Sequence, residues 1–537
     1  MDRREFLVAA AVAVTAGSEG PTSSAREAGA ARETGAARDS VEELSLADIA
    51  AAFADGRLTS EQLTQSYLAR IDRLDRHGPN LRSVIETNPR ALEIAAALDA
   101  EGKTRGTRGP LHGVPVLIKD NVETSDRMMS TAGSFALQGW YAPKDAPLVE
   151  RLRAAGAVVL GKTNLSEWAN FRSTHSSSGW SSRGGQCRNP YATDRTPSGS
   201  SSGSAVAVSS NLCAIAVGTE TDGSIVSPAS INGIVGLKPT VGLVSRRGIA
   251  PISHSQDTAG PLTRTVRDAA VMLGVMAGLD AADPASAAVG DRFQTDYARY
   301  VDPRGLSGAR LGVARKFFSD SEPLNGFLDA CIATLKGAGA VIVDPADLPL
   351  HGSTGAPEQE VMLYEFKADL NAYLRRLPPT FPVRSLAALI RFNEAHKDSE
   401  MPLFDQELLR QAEAKGPLSE KAYKDARAAC LKATRGQGID AVLAEHKLDA
   451  MISLTSGPAW LIDTVNGDSD TGGCSSPAAI AGYPHITVPA GLHRGLPIGL
   501  SFFGAAFSEP TLIKLGSGFE AVAHARIAPR FLPSLQM

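Results

Sequence analysis

Residues 196–245, TPSGSSSGSAVAVSSNLCAIAVGTETDGSIVSPASINGIVGLKPTVGLVS, concentrate glycine and serine against the apolar runs Ala205–Val208 and Leu212–Val217. Gly/Ser-rich sequence on its own reads as a flexible linker. Here the apolar runs belong in a core, so the glycines serve to bring backbone close to a ligand or to turn N–H groups toward one point. Several chemistries compete for such a stretch. A phosphate loop needs GxxxxGK[ST], and no lysine occurs before Lys238. Gly199-Ser200-Ser201-Ser202-Gly203 matches the GxSxG nucleophile elbow with Ser201 at its centre, but the preceding CRNPYATDRTPS lacks the strand that motif requires. No SxxK pair is present in the stretch, and the ten histidines are scattered without HExxH, so no metal-hydrolysis pattern exists. What remains is a serine hydrolase with no evident histidine base. Ser224, in GTETDGS, follows a strand and a tight turn where consecutive N–H groups converge. The matching base is Lys119, at the end of the apolar run in GVPVLIKDNV. A lysine at a strand end is ordinarily solvated and charged. Keeping it neutral at pH 7 costs about 4.6 kcal/mol, which burial away from any carboxylate supplies. Asp120 opposes this if its side chain turns inward.

The elements that must position these residues follow from pattern. Ser45 with Asp48 forms a capping box for a short helix through Phe53, and Thr59 with Gln62 repeats the device. Leu63, Tyr67, Ile71 and Leu74 then make one apolar helix face, closed by Gly78-Pro79. A second helix covers Ala91–Leu98, and Val114–Ile118 reads as a buried strand with Lys119 at its end. LRAAGAVVLGKTN and LKGAGAVIVDPADL share a helix, a glycine stop and a strand. Further strands are expected at Arg310–Val313, Ala450–Leu454, His485–Val488 and Leu496–Phe502. Residues 355–445 are mostly helical and placed at the surface, with Met362, Phe366 and Leu370 recurring every four residues. Helices and strands interleave without a dividing linker, which indicates one large α/β unit.

Composition sets the outer bounds. The chain has 537 residues, with 54 Lys plus Arg against 58 Asp plus Glu, so a basic nucleic-acid footprint is excluded. Five cysteines without a CxxC argue against a disulfide framework and against structural zinc. The start MDRREFLVAAAVAVTAG carries Arg3-Arg4 before an apolar run too short to span a bilayer, so residues 1–25 read as a twin-arginine-type signal peptide. Residues 26–43, poor in large apolar side chains, read as a disordered linker. An exported, periplasmic or extracellular protein without stable membrane association is expected.

Together, the block through GLKPTVGLVS, the segment GVPVLIKDNV with TAGS at 131–134, and the closing GYPHITVPAG and GLPIGLSFFG resemble the amidase signature family. The resemblance spans residues 44–537. NLSEWANFRSTHSSSGWSSRGGQCRNP and ISHSQDTAGP are similar to its bacterial peptide amidases. It implies a large mixed sheet flanked on both sides by helices in a single domain, and a Ser-Ser-Lys triad. Ser224 would be the nucleophile, Ser200 the bridging serine on a cis peptide bond, and Lys119 the base. Thr221, Asp222, Gly223 and Ser224 would give backbone N–H groups to the oxyanion hole. Two departures stand out: Asp222 occupies the first of two usual glycines, and Val226 stands where an arginine is common. The implied activity is hydrolysis of C-terminal peptide amides through an acyl-enzyme, with no cofactor or metal. The alternatives are a broader acyl- or aryl-amide hydrolase and, against the charge balance and leader, an amidotransferase A-type subunit. A binding-only descendant would have no chemical need for Lys119, Ser200 and Ser224 together. Trp168, Asn170, Phe171 and Trp460 are the candidate substrate contacts. The substrate is a small-molecule or peptide amide, and a monomer is expected, a dimer being the alternative.

Overall fold

The computed structural model describes residues 41–318, 320–349 and 351–535. The segments expected as a signal peptide and, up to residue 40, as a linker lie outside the described residues. Residues 41–43, expected in that linker, instead pack onto the fold, Val41 buried and Glu43 N–H donating to Asn211 Oδ1 at 2.8 Å. From Val41 onward the chain forms one compact unit. Its backbone is an 11-stranded mixed sheet. In chain order the strands are β1 Val84–Thr87, β2 Pro115–Lys119, β3 Val158–Thr163, β4 Ile215–Glu220, β5 Val235–Lys238 and β6 Thr258–Thr263. They continue with β7 Arg310–Val313, β8 Val341–Val343, β9 Ala450–Leu454, β10 His485–His493 and β11 Leu496–Phe503. Across the sheet they lie in the order β1-β3-β2-β4-β6-β5-β10-β11-β9-β7-β8.

The pairing that matters for chemistry is β2 with β4. They run parallel, with Ile118 opposite Val217, so their carboxyl ends leave the sheet at the same edge. Both are buried over their whole length, as parallel strands covered on two faces must be. In doubly wound sheets that edge is where ligands bind. Between these strands in sequence, the helix Ser202–Ser209 packs against β2, β3 and β4 with every residue buried. That helix therefore carries no solvent-facing side, and Ser204 turns inward onto a strand, its Oγ donating to Val217 O at 2.9 Å.

Local signals are realised as local chemistry. Ser45 and Asp48 form a reciprocal capping box on the helix Leu46–Ala54, and Thr59 and Gln62 form another on Ser60–Arg70. Such a cap is typically worth about 1 kcal/mol. The helix Pro147–Ala154 stops at Gly156, whose φ of +84° suits only glycine, before β3. The helix expected over Ala91–Leu98 runs on through Gly102 to Arg105 and ends at Gly106, whose φ is +81°. Residues 355–445 are helical and bury a hydrophobic cluster of their own, including Leu363, Phe366, Leu370 and Leu374, against residues 132–142 and 168–171. They are thus a cap over one end of the sheet. Among the described residues no helix is long and apolar enough to cross a membrane.

Candidate active site

Lys119 ends β2 with its side chain fully buried. Its Nζ lies 2.8 Å from Ser200 Oγ, 3.0 Å from Ser201 Oγ, 2.9 Å from Thr219 Oγ1 and 3.1 Å from Thr219 O. Among the described residues no carboxylate reaches it within salt-bridge distance. Burial pushes its pKa well below the ordinary lysine value, against the weaker opposing pull of Glu220 and Asp257. Asp120, next in sequence, turns away: its carboxylate accepts Thr131 N–H at 3.2 Å and Gly133 N–H at 3.1 Å, and lies beside Arg183.

Counting protons around Nζ assigns directions to these contacts. Ser201 Oγ donates to Thr219 O at 3.0 Å and accepts Thr219 N–H at 3.2 Å, so its proton is committed. Thr219 Oγ1 accepts Asn121 Nδ2 at 3.0 Å. Ser200 has no other side-chain partner among the described residues, so its hydroxyl proton, like that of Thr219 Oγ1, is free to point at the lone pair of a neutral Nζ. Lys119 and Ser200 form a base–hydroxyl pair, with Ser201 and Thr219 as the frame that orients the amine. The strand context of a GxSxG elbow is absent, as the sequence indicated, and Ser201 is locked and 0% exposed.

The peptide bond Gly199–Ser200 is cis. A Cβ on Gly199 would lie 2.1 Å from Ser166 Oγ, so only glycine lets this backbone pass. Ser201 N–H then donates to Ser224 O at 3.1 Å, which fastens the Gly/Ser turn to the turn leaving β4. Ser224 is 8% exposed, whereas Lys119 and Ser200 are wholly enclosed. Among the described residues its hydroxyl makes no hydrogen bond to Ser200. The turn before it opens at Gly223, with φ +78°. The backbone N–H groups of Thr221, Asp222, Gly223 and Ser224 have no hydrogen-bond partners among the described residues. The turn is held from outside. Glu220 accepts Ile225 N–H at 2.8 Å and Val226 N–H at 3.0 Å, so one carboxylate ties the exit of the turn to its entry. Asp257, raised to about 6 by burial, accepts Thr221 Oγ1 at 2.6 Å.

A polar cleft of about 280 Å³ adjoins this turn. Its walls include Asn170, Gly199, Asp222, Trp460, Asp468 and Ser475. Asn170 and Trp460, two of the expected substrate contacts, stand on this wall, Asn170 Oδ1 accepting Ser176 Oγ at 2.8 Å and Trp460 Nε1 donating to Asp468 at 3.0 Å. Trp168 and Phe171 instead pack into the cap, Phe171 with its ring 5.0 Å from that of Phe366. Three successive left-handed residues, Trp168 (φ +50°), Ala169 (+54°) and Asn170 (+73°), divide the segment between core and cleft. Arg172 fixes that segment to the cap: fully buried, it pairs with Glu167 and donates to the carbonyls of Glu400 and Phe404. Asp468, Asp470, Ser475 and Glu358 were missed from sequence. The polar, Gly-rich 466–476 stretch between β9 and the next helix was the one visible signal for the first three, and Glu358 had none.

Two more lysines are wholly buried on neighbouring strands, Lys162 on β3 and Lys238 on β5, each brought down to about 8 by burial. Both face buried carboxylates, Lys162 facing Asp120 and Lys238 facing Glu220. Lys119 differs in meeting three hydroxyls, where Lys162 meets one.

The family model described as Amidase matches residues 62–513. The crystal structure of native peptide amidase from Stenotrophomonas maltophilia shares 52% identity, covering 91% of this chain and 99% of that one, with a TM-score of 0.87. A probable amidase of Arabidopsis thaliana is 43% identical over 502 residues, 92% of each chain. The A-type subunit of a glutamyl-tRNA(Gln) amidotransferase from Pseudomonas aeruginosa is 35% identical over 505 residues, 91% of this chain and all of that one.

Proposed function

The chain belongs to the amidase signature family and is an amide-bond hydrolase, and from that premise we propose that it removes the C-terminal carboxamide of peptide amides, giving the free acid and ammonia. The observation that carries the mechanism is the Lys119 pocket, where a buried amine meets the Ser200 hydroxyl, whose proton is uncommitted. In this reading Ser200 passes its proton to Lys119 Nζ as it accepts the proton of Ser224, and Ser224 Oγ attacks the amide carbon. The developing oxyanion is taken by the free N–H groups of residues 221–224, each typically worth about 2.7–4 kcal/mol in the transition state. The proton returns through Ser200 to the leaving nitrogen, the C–N bond breaks, and ammonia departs. Water then repeats the sequence on the acyl-Ser224 ester. The Ser224 and Ser200 hydroxyls close on one another when substrate fills the cleft, a tightening common to catalytic hydrogen bonds.

The peptide-amide substrate is supported by the 52% identity to a peptide amidase over nearly the whole chain and by a cleft with hydrogen-bonding walls. Steady-state rates of ammonia release from a dipeptide amide, set against hydrolysis of an anilide of the same acyl group, test it. A preference for the anilide would replace this reading with a broad aryl-amidase. Export is proposed on the leader pattern alone. N-terminal sequencing of secreted protein starting near residue 26 is the expected result, and retention of Met1 in cytoplasmic protein refutes it.

A further inference from the structure

The cleft holds acids without a counter-charge. Asp222, Asp468 and Asp470 line it, and none of its lining residues is lysine, arginine or histidine. Asp468 is committed to its own frame, accepting Ser178 N–H at 3.0 Å and Trp460 Nε1 at 3.0 Å. Asp222 is different in position, since it lies inside the turn whose N–H groups face the reacting carbonyl, two residues before Ser224. Its Oδ1 accepts Ser475 Oγ at 2.5 Å, which fixes the carboxylate on the cleft wall. Behind it stands Glu358 of the helix Gly355–Leu374, 6% exposed, with Oε1 accepting Gln256 Nε2 at 2.8 Å. Burial foremost, and then the facing Asp222 carboxylate, raise the Glu358 pKa well above the ordinary carboxyl value. A carboxylate offers about four acceptor sites. Ser475 and Glu358 occupy two, so acceptor capacity remains on the cleft side.

A row of N–H donors beside one fixed carboxylate is the complement of a primary carboxamide, C=O toward the donors and NH2 toward the acceptor. A carboxylate at the same place presents two acceptors and a charge of the same sign as Asp222. We propose that Asp222 is the specificity-determining residue of this amidase, accepting an N–H of the substrate carboxamide through its carboxylate and repelling the free-acid product. The proposal rests on the peptide-amide reading above and deepens it: the chain reads the chemical group at the peptide's end, not only the peptide.

The test uses Asp222→Asn, which keeps an oxygen for Ser475 and removes the charge. Three quantities are compared with wild type: kcat/KM for a dipeptide amide, kcat/KM for the methyl ester of the same dipeptide, and Ki for its free acid. The expected result is a fall in the amide-to-ester ratio of about tenfold or more and a free-acid Ki tighter by about tenfold or more, as loss of a charged hydrogen bond and of a like charge requires. A variant that loses amide and ester activity in parallel, with Ki for the acid unmoved, overturns the proposal and makes Asp222 a purely structural part of the turn. Asp222→Ser must show the same split, which keeps the test decisive if the asparagine variant folds poorly. Wild-type ammonia release from the dipeptide amide is measured alongside. Its absence counts against the function proposed above, whereas its presence with an unmoved ratio in the variants counts against Asp222 alone.

Discussion

Replacing Ser200 and Ser201 one at a time by alanine separates the two hydroxyls that touch Lys119. Both lie about equally near Nζ, at 2.8 and 3.0 Å, so distance alone predicts equal effects. Proton accounting predicts opposite ones. Ser200→Ala removes the hydroxyl that hands its proton to Nζ in this relay, and general acid–base assistance of this kind is worth about 10²–10⁴ in rate. It strands no buried backbone group, so stability changes by no more than about 1 kcal/mol. Ser201→Ala leaves the Ser200–Lys119 pair intact but removes the acceptor of Thr219 N–H and one donor to Thr219 O. An orphaned buried N–H costs about 1–3 kcal/mol, with an activity loss well short of the Ser200 variant's. The assays are ammonia release from a dipeptide amide at saturating substrate and urea unfolding midpoints of both variants. If Ser201→Ala is the slower enzyme, or Ser200→Ala the less stable protein, the assignment of Ser200 as the relay hydroxyl is wrong.

Other perturbations reach the same machinery by different routes. Glu220→Ala should strand the N–H groups of Ile225 and Val226 and cost about 2–6 kcal/mol of stability, with kcat falling and KM nearly constant; an unchanged thermal midpoint would rule out the carboxylate as the clamp of the nucleophile turn. Because burial lowers the pKa of Lys119, kcat/KM should rise with pH as the folded ammonium loses its proton. The same shift has a stability counterpart: between that low folded value and the ordinary 10.5 the unfolded chain holds the extra proton, so Lys119 makes the fold more stable as pH rises. The stability advantage of Lys119→Met over wild type is therefore greatest at low pH and shrinks toward the ordinary lysine value, and urea titrations showing the reverse slope refute neutral burial. Arg172→Ala leaves Glu167 buried without its partner and should destabilise by about 3–5 kcal/mol, read by calorimetry.

What was legible in the sequence is what short-range chemistry decides. Ser45 with Asp48 and Thr59 with Gln62 announce helix starts because cap and partner lie three residues apart. Arg310–Val313 and Ala450–Leu454 are recovered residue for residue, being short apolar runs bounded by polar turns. β10 runs past Val488 to His493 because the hairpin pairs His493 with Leu496, and β11 runs one residue past Phe502 because Phe503 pairs with His485 and Met451. β1, β5 and β6 carried no usable alternation. Sheet order was not legible at all, because the parallel pairing of β2 with β4 joins segments about a hundred residues apart. The same limit hid half of the cleft. Glu358 reads as an ordinary charge in an amphipathic helix until the fold sets it behind Asp222. Trp168 and Phe171 looked equivalent to Asn170 by proximity in sequence, and only the run of positive φ angles distributes them between two environments. Ser224 and Lys119 were singled out by the tight turn and the apolar run that precede them, and Ser200 came only with the family resemblance.

Enclosure of Lys119, Lys162 and Lys238 at 0% exposure also determines how the protein meets reagents that do not resemble its substrate. An amine-acylating or reductively methylating reagent requires an unprotonated, reachable nitrogen, and these three offer no path from bulk solvent while the sheet is intact. In a lysine footprint read by mass spectrometry they remain unlabelled beside surface lysines such as Lys421. They acquire label together only when the strands that hold them separate, so their joint modification is a clock for opening of the sheet, independent of any turnover assay.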